Sequence, residues 1–495
     1  MSDLASIARK GYEKAYSTLT PIWSVHAVNS TPVIAGGPDG NTVHMVDGQL
    51  KWWGIRPTAV RGVWRWWIRA LLAGLLWEEG YTCDYRGIAK LEERLGLGTT
   101  SKASRVFLDV SYLPLEDPIK RRPYFTEIYI TRRGNKRIDF AKLMLNYEGE
   151  YKKNGCKGDF LKYLYLIPRY TLWSMGKKGE SRNLGNIAKI IFEKQPFPPE
   201  KVILDISICT KDKNKKDKNK DKNLEEKYGY LYMYALWLAL ALGGIGQATS
   251  RGFGKFSLQG PQGEKIYDLD INSIIKKLSN SIDLGSLIDS NIREKCKNNT
   301  EVQLPLIPTF HSATMKYEKL SPVKYIVIKD RRYRNTSVND ATCIWDVLIG
   351  IGQASLKVFW KLSKNMSIDS PGAKLHTWVL GLPRYIKGTG YLIGIENPYS
   401  KEYSDPGRLQ SLIKFTPYLN NDGKWGSIIY MFITNDYNTL YYGGRTEKLG
   451  KIKGIYHVPR GKDKKLVREI EDKLSLEEIL ESAFSNAKKI LEEGA

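Results

Sequence analysis

Gly243–Phe256 reads GGIGQATSRGFGKF and combines five glycines with Arg251 and Lys255. An apolar, helix-like run precedes this segment, and a β-rich segment follows it. Glycine permits positive φ and lets another backbone come close, and such a loop presents main-chain N–H groups to anions such as phosphates. The segment, called the glycine loop below, therefore predicts a helix-to-strand connection that a phosphate can approach.

The surrounding residues exclude two familiar nucleotide-binding loops. A P-loop needs Ser or Thr after its Gly-Lys pair, whereas Phe256 follows Gly254-Lys255 here. A dinucleotide-binding loop leaves a strand and opens a helix, which is the reverse of the order here. A helix C-cap with two incidental cations stays open as an explanation, because glycine is common just after a helix.

The charge of the chain favours a polyanionic partner. Seventy-seven Lys and Arg against 53 Asp and Glu give a net charge of +24 over 495 residues, which suits nucleic acid, although a high charge also favours solubility. A hydrophobic content of 42% is enough to build cores for two or three domains. The longest apolar run, Tyr230–Leu242, is shorter than the ~20 residues of a spanning helix. We expect a cytoplasmic protein with no membrane partner.

The cysteines predict neither disulfides nor a metal site. The chain has five, none of them in a Cys-x-x-Cys pair, and the odd number argues against a disulfide framework. They are Cys83, Cys156, Cys209, Cys296 and Cys343. We expect no cofactor, no metal and no small-molecule substrate.

The first half has the element order of a ferredoxin-like split β-α-β unit. The predicted strands are Leu19–Val28, Arg105–Tyr112, Tyr124–Thr131, Val202–Cys209 and Phe253–Leu258. One predicted helix starts near Thr58, its expected cap, and has an apolar face made by Val60, Trp64, Trp67, Ile68, Leu71 and Leu75. The other is Tyr228–Leu242. Residues 1–265 form the first predicted domain.

Lys211–Lys222 has no apolar residue to bury, so it predicts a disordered insertion in the first domain. A solvated loop is favoured there over a tether that grips RNA.

The second half is predicted as a small helical connector, 266–300, followed by a second ferredoxin-like domain, 301–495. Its predicted strands are Val323–Lys329, Tyr391–Ile395 and Ser427–Thr434. Leu476–Leu491 predicts an amphipathic helix with a capping box between Ser475 and Glu478. A short echo of Gly244–Thr249 in Gly350–Ser355 is consistent with duplication. The predicted fold class is α+β.

Three arginines on the first helix predict a row of phosphate contacts. Arg61, Arg65 and Arg69 repeat every fourth residue, which places them in one stripe, and Lys51 and Arg56 precede the helix. No acidic residue stands between Arg56 and Trp77 to balance them. A solvated face is the alternative. Among the nearby tryptophans, Trp64 and Trp67 are predicted in the core, whereas Trp52, Trp53 and Trp66 stay open as base-stacking platforms.

Two further basic segments lie in the second half. Gly381–Gly388, GLPRYIKG, contains Arg384 and Lys387, and Arg408 follows downstream. Each alone is typical of an ordinary turn. We include Arg384, Lys387 and Arg408 among the candidate RNA-binding residues because of their order after the first-half motifs.

The histidines give little support for catalysis. The chain has His26, His44, His311, His376 and His457, and no two form a recognisable pair. His26 is expected inside the core on its strand, so His44 is the candidate general acid or base for RNA cleavage. No carboxylate cluster predicts a two-metal site. The expectation is a protein that is not an enzyme.

Four blocks together resemble the RAMP superfamily of CRISPR proteins and, more narrowly, the family of first subunits of the Cmr (type III-B) effector complex. They are Trp53–Pro57, Arg61–Arg69, Ser104–Val106 and Gly243–Gly254. Many family members have arginines where this chain has Gln247, Ala248, Thr249 and Ser250. The first half of the loop is therefore expected to grip phosphate through its backbone.

The resemblance implies two RRM-type, ferredoxin-like RAMP domains and a binding role without cleavage. It implies a place at the end of the complex, beside other Cmr subunits, the 3′ part of the CRISPR RNA and its paired target RNA. The candidate RNA-binding residues are Lys51, Arg56, Arg61, Arg65, Arg69, Gly243, Gly244, Gly246, Arg251, Gly252, Gly254, Lys255, Arg384, Lys387 and Arg408. The alternatives are a RAMP endoribonuclease that processes precursor CRISPR RNA through His44, and an RNA-binding scaffold unrelated to CRISPR.

Overall fold

The structure is a computed structural model of the chain. It describes residues 19–36, 43–46, 49–52, 54–99, 102–114, 128–130, 136–138, 155–156, 202–211, 218–259, 270–328, 336–365, 379–381, 384–385, 392–394, 410–435, 441–443, 451–452, 469–470 and 475–494. Among these residues, no helix has the length and apolarity needed to cross a membrane.

The first half and the connector contain six helices and ten strands within the described ranges. In chain order they are β1 (Leu19–Asn29), β2 (Val43–Val46), β3 (Gln49–Trp52), α1 (Pro57–Glu78), β4 (Tyr81–Cys83), α2 (Tyr85–Arg94), β5 (Val106–Pro114), β6 (Ile128–Ile130), β7 (Lys136–Ile138), β8 (Val202–Lys211), α3 (Lys218–Leu238) with a π-helical turn (Ala239–Gly243), β9 (Phe256–Gln259), α4 (Ile271–Ser281), α5 (Leu284–Leu287), α6 (Ser290–Arg293) and β10 (Cys296–Asn298).

The second half continues with β11 (Met315–Leu320), β12 (Lys324–Ile328), β13 (Thr336–Asp340), α7 (Ile344–Asn365), β14 (Arg384–Tyr385), β15 (Leu392–Gly394), β16 (Ile413–Leu419), β17 (Trp425–Phe432), β18 (Tyr441–Gly443), β19 (Lys451–Ile452), β20 (Glu469–Ile470) and α8 (Leu476–Glu493). The mixed content confirms the predicted α+β class, and α8 has the predicted capping box between Ser475 and Glu478.

The first sheet is antiparallel, with strand order β5-β8-β1-β9. Its elements follow the predicted order β-α-β-β-α-β along the chain. Alternate residues of each strand point to the same side of the sheet, and on one side these residues are apolar. Val25 and Ala27 of β1, with Leu204 and Ile206 of β8, are buried on this face. The ferredoxin-like assignment of both halves stays a prediction, since the described second-half sheet β11-β17-β16 has three strands.

Helix α1 lies between the two halves. Trp64 and Trp67 are fully buried, as predicted, and Trp64 Nε1 donates to the Tyr232 carbonyl of α3 over 3.0 Å. The ring of Trp67 packs 5.8 Å from the ring of Phe310, centroid to centroid. The helix starts two residues earlier than expected, because Pro57 occupies its first turn and Arg56, not Thr58, is the N-cap.

The predicted disorder of Lys211–Lys222 is wrong at both of its ends. Lys211 is the last residue of β8, and Lys218–Lys222 form the start of α3. Residues 212–217 lie outside the described ranges. Lys is a good helix former, so α3 begins within the charged segment.

The prediction that the cysteines form no disulfide is also wrong. Cys83 of β4 and Cys296 of β10 are directly opposite in the strand register, with Cα atoms 4.3 Å apart, and are disulfide-bonded. Cys156 is bonded to Cys343, and the buried Cys209 is the odd residue. The partners are 213 and 187 residues apart, so tertiary structure creates pairs that no local spacing indicates.

The echo between Gly244–Thr249 and Gly350–Ser355 does not extend to structure. The first copy is an irregular loop, whereas the second lies within α7. There Gln353 is buried, and its side-chain amide bonds both the N–H and the carbonyl of Ile326 over 2.8 Å. The second copy therefore links α7 to β12 through hydrogen bonds and forms no second loop.

Candidate nucleic-acid interface

The glycine loop has the backbone that its sequence predicts. Gly244, Gly246, Gly252 and Gly254 have φ of 80°, 99°, 89° and 67°, a region that side-chain-bearing residues rarely adopt. Ala248 is also there, with φ 57°. A phosphate-binding loop and a helix C-cap followed by a turn both use positive φ, so these glycines alone do not separate the two explanations.

The glycines also allow close packing against neighbouring backbone. A Cβ on Gly246 would lie 2.5 Å from the Ile34 carbonyl oxygen, and one on Gly254 would overlap the Ile245 carbonyl. Gln247 N–H donates to the Ile34 carbonyl over 2.8 Å. The segment that follows β1 therefore supports the loop from one side.

The far side of the loop joins the second half of the chain. Phe415 N–H of β16 donates to the Ser250 carbonyl over 3.1 Å, and Arg251 forms a parallel bridge with Phe415. A Cβ on Gly252 would lie 2.7 Å from Pro417 Cδ. The loop thus extends the second sheet at its β16 edge and connects the two halves.

Lys255 is not available to RNA, contrary to its prediction as an RNA-binding residue. Its side chain is buried, and Nζ donates to the carbonyls of Leu242 and Gly243, the latter over 3.1 Å. Burial lowers the pKa of Lys255 well below its usual value, and the charge of Lys414 lowers it further. Its amino group satisfies two carbonyls at the C-terminal end of the helix.

Arg251 is likewise inside the protein, with only 9% of its surface exposed. Burial lowers the pKa of its guanidinium to about 10. No described carboxylate forms a salt bridge with it. Its guanidinium is therefore buried and is not exposed for direct contact with RNA.

The exposed part of the loop is the turn Gly246–Ser250. Gly246 is exposed and the next four residues are half-buried. The main-chain N–H groups of Gly246, Ala248, Thr249 and Ser250 have no acceptor among the described residues. A turn with several unbonded N–H groups forms a concave site for an anion.

The arginine stripe has an acidic partner that the sequence reasoning missed. Glu92 of α2 is 1% exposed, and its two oxygens accept from Arg65 over 3.0 Å and from Arg69 over 2.9 Å. Arg61 donates to Ser104 Oγ over 2.5 Å and to the Leu97 carbonyl over 3.3 Å. All three arginines are half-buried and already bonded within the protein, so they do not form the unbalanced row that the sequence predicts.

The acid was missed because it lies on another helix. No acidic residue lies between Arg56 and Trp77 in the sequence, whereas Glu92 is 27 residues beyond Arg65. The helical spacing of Ile88, Leu91 and Glu92 on one buried face of α2 is the sequence signal that would have placed this carboxylate in the interior.

For several of the other predicted RNA-binding residues, the structure describes only the backbone or does not describe the residue. Arg56 is exposed at the start of α1, and its side chain makes no capping bond. Gly243 packs against Trp67 and Val63. Lys51 lies in β3 and Arg384 in β14, and the structure describes only their backbone. Lys387 and Arg408 lie outside the described residues.

Trp66 packs at the contact between the halves and is not a free stacking platform. Its ring lies 5.4 Å from that of Phe432, and Nζ of the buried Lys414 is 4.0 Å above it. Burial lowers the pKa of Lys414 to about 7, and Gln410 Oε1 accepts from its Nζ over 3.1 Å. Trp52 lies in β3 with only its backbone described, and Trp53 lies outside the described residues.

The expectation for His26 is wrong. Its side chain is 70% exposed, on the face of the first sheet opposite the core, where it contacts Asp205 directly across from it in the register. His44 lies in β2 with only its backbone described. Within the described residues, no three His, Cys, Asp or Glu side chains are grouped to hold a metal.

Comparison with known proteins gives one family and several distant structural neighbours. Residues 18–257 match the model of the RAMP superfamily. A cryo-EM structure of the type III-B Cmr-beta bound to cognate target RNA contains a chain 16% identical, with a TM-score of 0.47, covering 94% of this chain and 99% of that one. A cryo-EM structure of the type III-B Cmr-beta bound to cognate target RNA and AMPPnP, in the presence of ssDNA, contains a chain that is 17% identical. Its TM-score is 0.46, and the match covers 94% of this chain and 98% of that one.

Cmr1 from Pyrococcus furiosus, in its apo form, is 17% identical with a TM-score of 0.39, covering 83% of this chain and 87% of that one. No curated protein matches the chain. The family match begins at β1 and ends in β9, just beyond the glycine loop. Residues 18–257, slightly less than half of the chain, are therefore similar to the RAMP superfamily.

Proposed function

We propose that this protein is a non-catalytic RNA-binding subunit of a CRISPR type III-B (Cmr) effector complex. In this role it contacts the 3′ part of the CRISPR RNA and its duplex with target RNA at the end of the complex. The RAMP match and the Cmr-like blocks around Arg56 and Gly243 support the family context, and the net charge of +24 supports a polyanionic partner.

The observation that carries the proposal is the set of unbonded N–H groups on the turn Gly246–Ser250. A phosphate accepts from these groups without contacting a base, so binding there is independent of sequence. Gly246 supplies the positive φ of 99° that the turn requires, and the buried charge of Arg251 favours an anion. A guide whose sequence varies requires this kind of contact.

In this proposal the arginine stripe stabilises the fold and does not bind RNA. A phosphate would have to displace the buried carboxylate of Glu92 from Arg65 and Arg69, which would leave a charge without a partner in the interior. We therefore assign RNA contact to the loop turn and to exposed cations such as Arg56.

An endoribonuclease is the second candidate, and the exposed pair of His26 and Asp205 is the observation that favours it. A carboxylate beside one ring nitrogen orients a histidine for general base chemistry at the other. His26 therefore replaces His44 as the first histidine to test for catalysis.

The test is an assembly and binding experiment. Purified protein is mixed with labelled CRISPR RNA, with and without its paired target and the neighbouring Cmr subunits, and retention is followed on native gels. We expect retained, intact RNA and a further shift when the subunits are added. A protein that binds neither RNA nor subunits would contradict the proposal.

A further inference from the structure

A basic surface lies where the connector meets the first half, away from the glycine loop. Arg86 and Lys90 are exposed one turn apart on α2, and Lys295 and Lys297 are exposed on either side of Cys296. We call these four residues the connector patch. None of them was among the residues that the sequence singled out.

The centre of the patch brings two like charges near each other. Lys90 lies about one turn beyond Gly87, which packs against Cys296 beside Lys295, and interaction with Lys295 lowers the pKa of Lys90. Like charges placed near each other repel. A bound anion between them would replace the repulsion with attraction to both.

The acidic neighbours of the pair are already engaged. Glu93 forms a salt bridge with Lys102, and Asp289 forms one with Arg94. Glu294 is exposed on the same turn as Lys295 and balances one charge of the patch. The four cations of the patch form no salt bridge with a described residue.

The disulfide fixes the patch in place. The Cys83–Cys296 bond ties β10, with its flanking lysines, to β4. Helix α2 lies directly on this bond, because a Cβ on Gly87 would be 3.0 Å from Cys83 Cβ and 3.6 Å from Cys296 Sγ. Lys90 and Lys295, which are distant in sequence, are thereby presented together.

We infer that the connector patch is a second contact for the RNA phosphate backbone, centred on Lys90 and Lys295 and held in shape by the Cys83–Cys296 disulfide. This inference rests on the proposed function and extends it to a surface outside the glycine loop. An RNA strand suits the patch because successive phosphates offer several anions to several cations.

The experiment uses the full chain and a fluorescein-labelled single-stranded RNA of mixed sequence, with affinity measured by anisotropy over a range of salt. The variant Lys90→Gln/Lys295→Gln should lose about tenfold in affinity at low salt, with a salt slope flatter by roughly 1.4, the value for two contacts at about 0.7 each. The control Lys276→Gln/Lys277→Gln removes the same charge from exposed residues of α4.

An unchanged affinity in the Lys90/Lys295 variant, or an equal loss in the control, overturns the inference. A wild-type protein that binds no RNA overturns the proposed function as well. If the wild type binds and only a loop substitution such as Thr249→Asp weakens it, the connector patch alone is rejected. Melting temperatures of both lysine variants should match the wild type, since all four side chains are exposed.

The part played by the disulfide has its own readout. In Cys83→Ala/Cys296→Ala, the two lysine substitutions should cost less additional affinity than in the wild type, because the lysines are no longer held together. The same additional loss in both backgrounds would show that the disulfide does not shape the patch. Circular dichroism confirms that the cysteine variant is folded.

Discussion

Arg65 of α1 donates from Nε to Oε1 of Glu92 in α2 over 3.0 Å, and the carboxylate it meets is buried. Arg69 makes a second bond to the same carboxylate. The arginine row, which resembles an RNA-binding stripe in sequence, therefore links α1 to α2. The arrangement decides which cations remain available to RNA.

Removing the charge of Glu92 should destabilise the protein. Glu92→Gln leaves Arg65 and Arg69 without a buried counter-charge, and we expect a loss of roughly 3 kcal/mol in the free energy of unfolding. Chemical denaturation measures it. Glu93→Gln is the matched control, because its exposed pair with Lys102 contributes at most ~1 kcal/mol. An RNA affinity that rises strongly in Glu92→Gln would instead show that the freed stripe binds phosphate.

Lys414 should make stability depend on pH in the alkaline range. Its pKa is about 7 in the folded protein and near 10.5 when unfolded. Between these values the unfolded state holds the extra proton, so stability rises as pH increases from 7 towards 10, and the penalty is complete below pH 7. Lys255 acts in the same direction.

The contribution of Lys414 is isolated by substitution. Lys414→Met should flatten the rise in unfolding free energy between pH 7 and 10 by roughly 2 to 4 kcal/mol relative to the wild type. Lys424→Met, at an exposed position, should leave the pH profile unchanged. Parallel profiles for Lys414→Met and the wild type would show that Lys414 stays charged in its site beside Trp66.

Gly252 should be needed for the join between the halves. Gly252→Val forces a β-branched residue to φ 89° and against Pro417 and Leu348, at a cost of at least about 1–2 kcal/mol. Limited proteolysis should then cleave near the loop faster than in the wild type. Gly62→Val is the control, since nothing lies within 4 Å of its added Cβ. Equal cleavage rates in both variants would argue against a joining role.

The sequence predicted the framework of the first half because periodicity is a local property. Alternation in β1 and β8 and the apolar face of α1 each follow from a few neighbouring residues, and their bounds differ from the prediction by one or two residues. The loop glycines were also predictable, since positive φ excludes most other residues.

The residues that sequence reasoning misplaced depend on distant partners. In the sequence, Lys255 and Arg251 resemble exposed cations. In the folded protein, Lys255 bonds the carbonyls at the helix end and Arg251 lies against β16. The Cys83–Cys296 bond and the Lys90–Lys295 interaction join segments about 200 residues apart. No local pattern indicates such pairs, because packing of whole elements creates them.

The protein should not cut RNA. Guide or target RNA incubated with the protein, with or without Mg²⁺, should remain intact on denaturing gels, as expected for a binding subunit. Specific cleavage that disappears in His26→Ala would promote the endoribonuclease, with Asp205 orienting its base. Cleavage lost only in His44→Ala would point to β2 instead, and cleavage lost only with a chelator would indicate a metal site.

The most direct test of the account is the RNA affinity of Thr249→Asp compared with Thr249→Asn. The two side chains have nearly the same shape, but the carboxylate competes with phosphate for the N–H groups of the turn Gly246–Ser250 and repels it. We predict that Thr249→Asp binds mixed-sequence RNA at least about tenfold more weakly than Thr249→Asn, a difference of ~1.4 kcal/mol, with melting temperatures unchanged. Equal affinities for the two variants would contradict phosphate binding by the glycine loop.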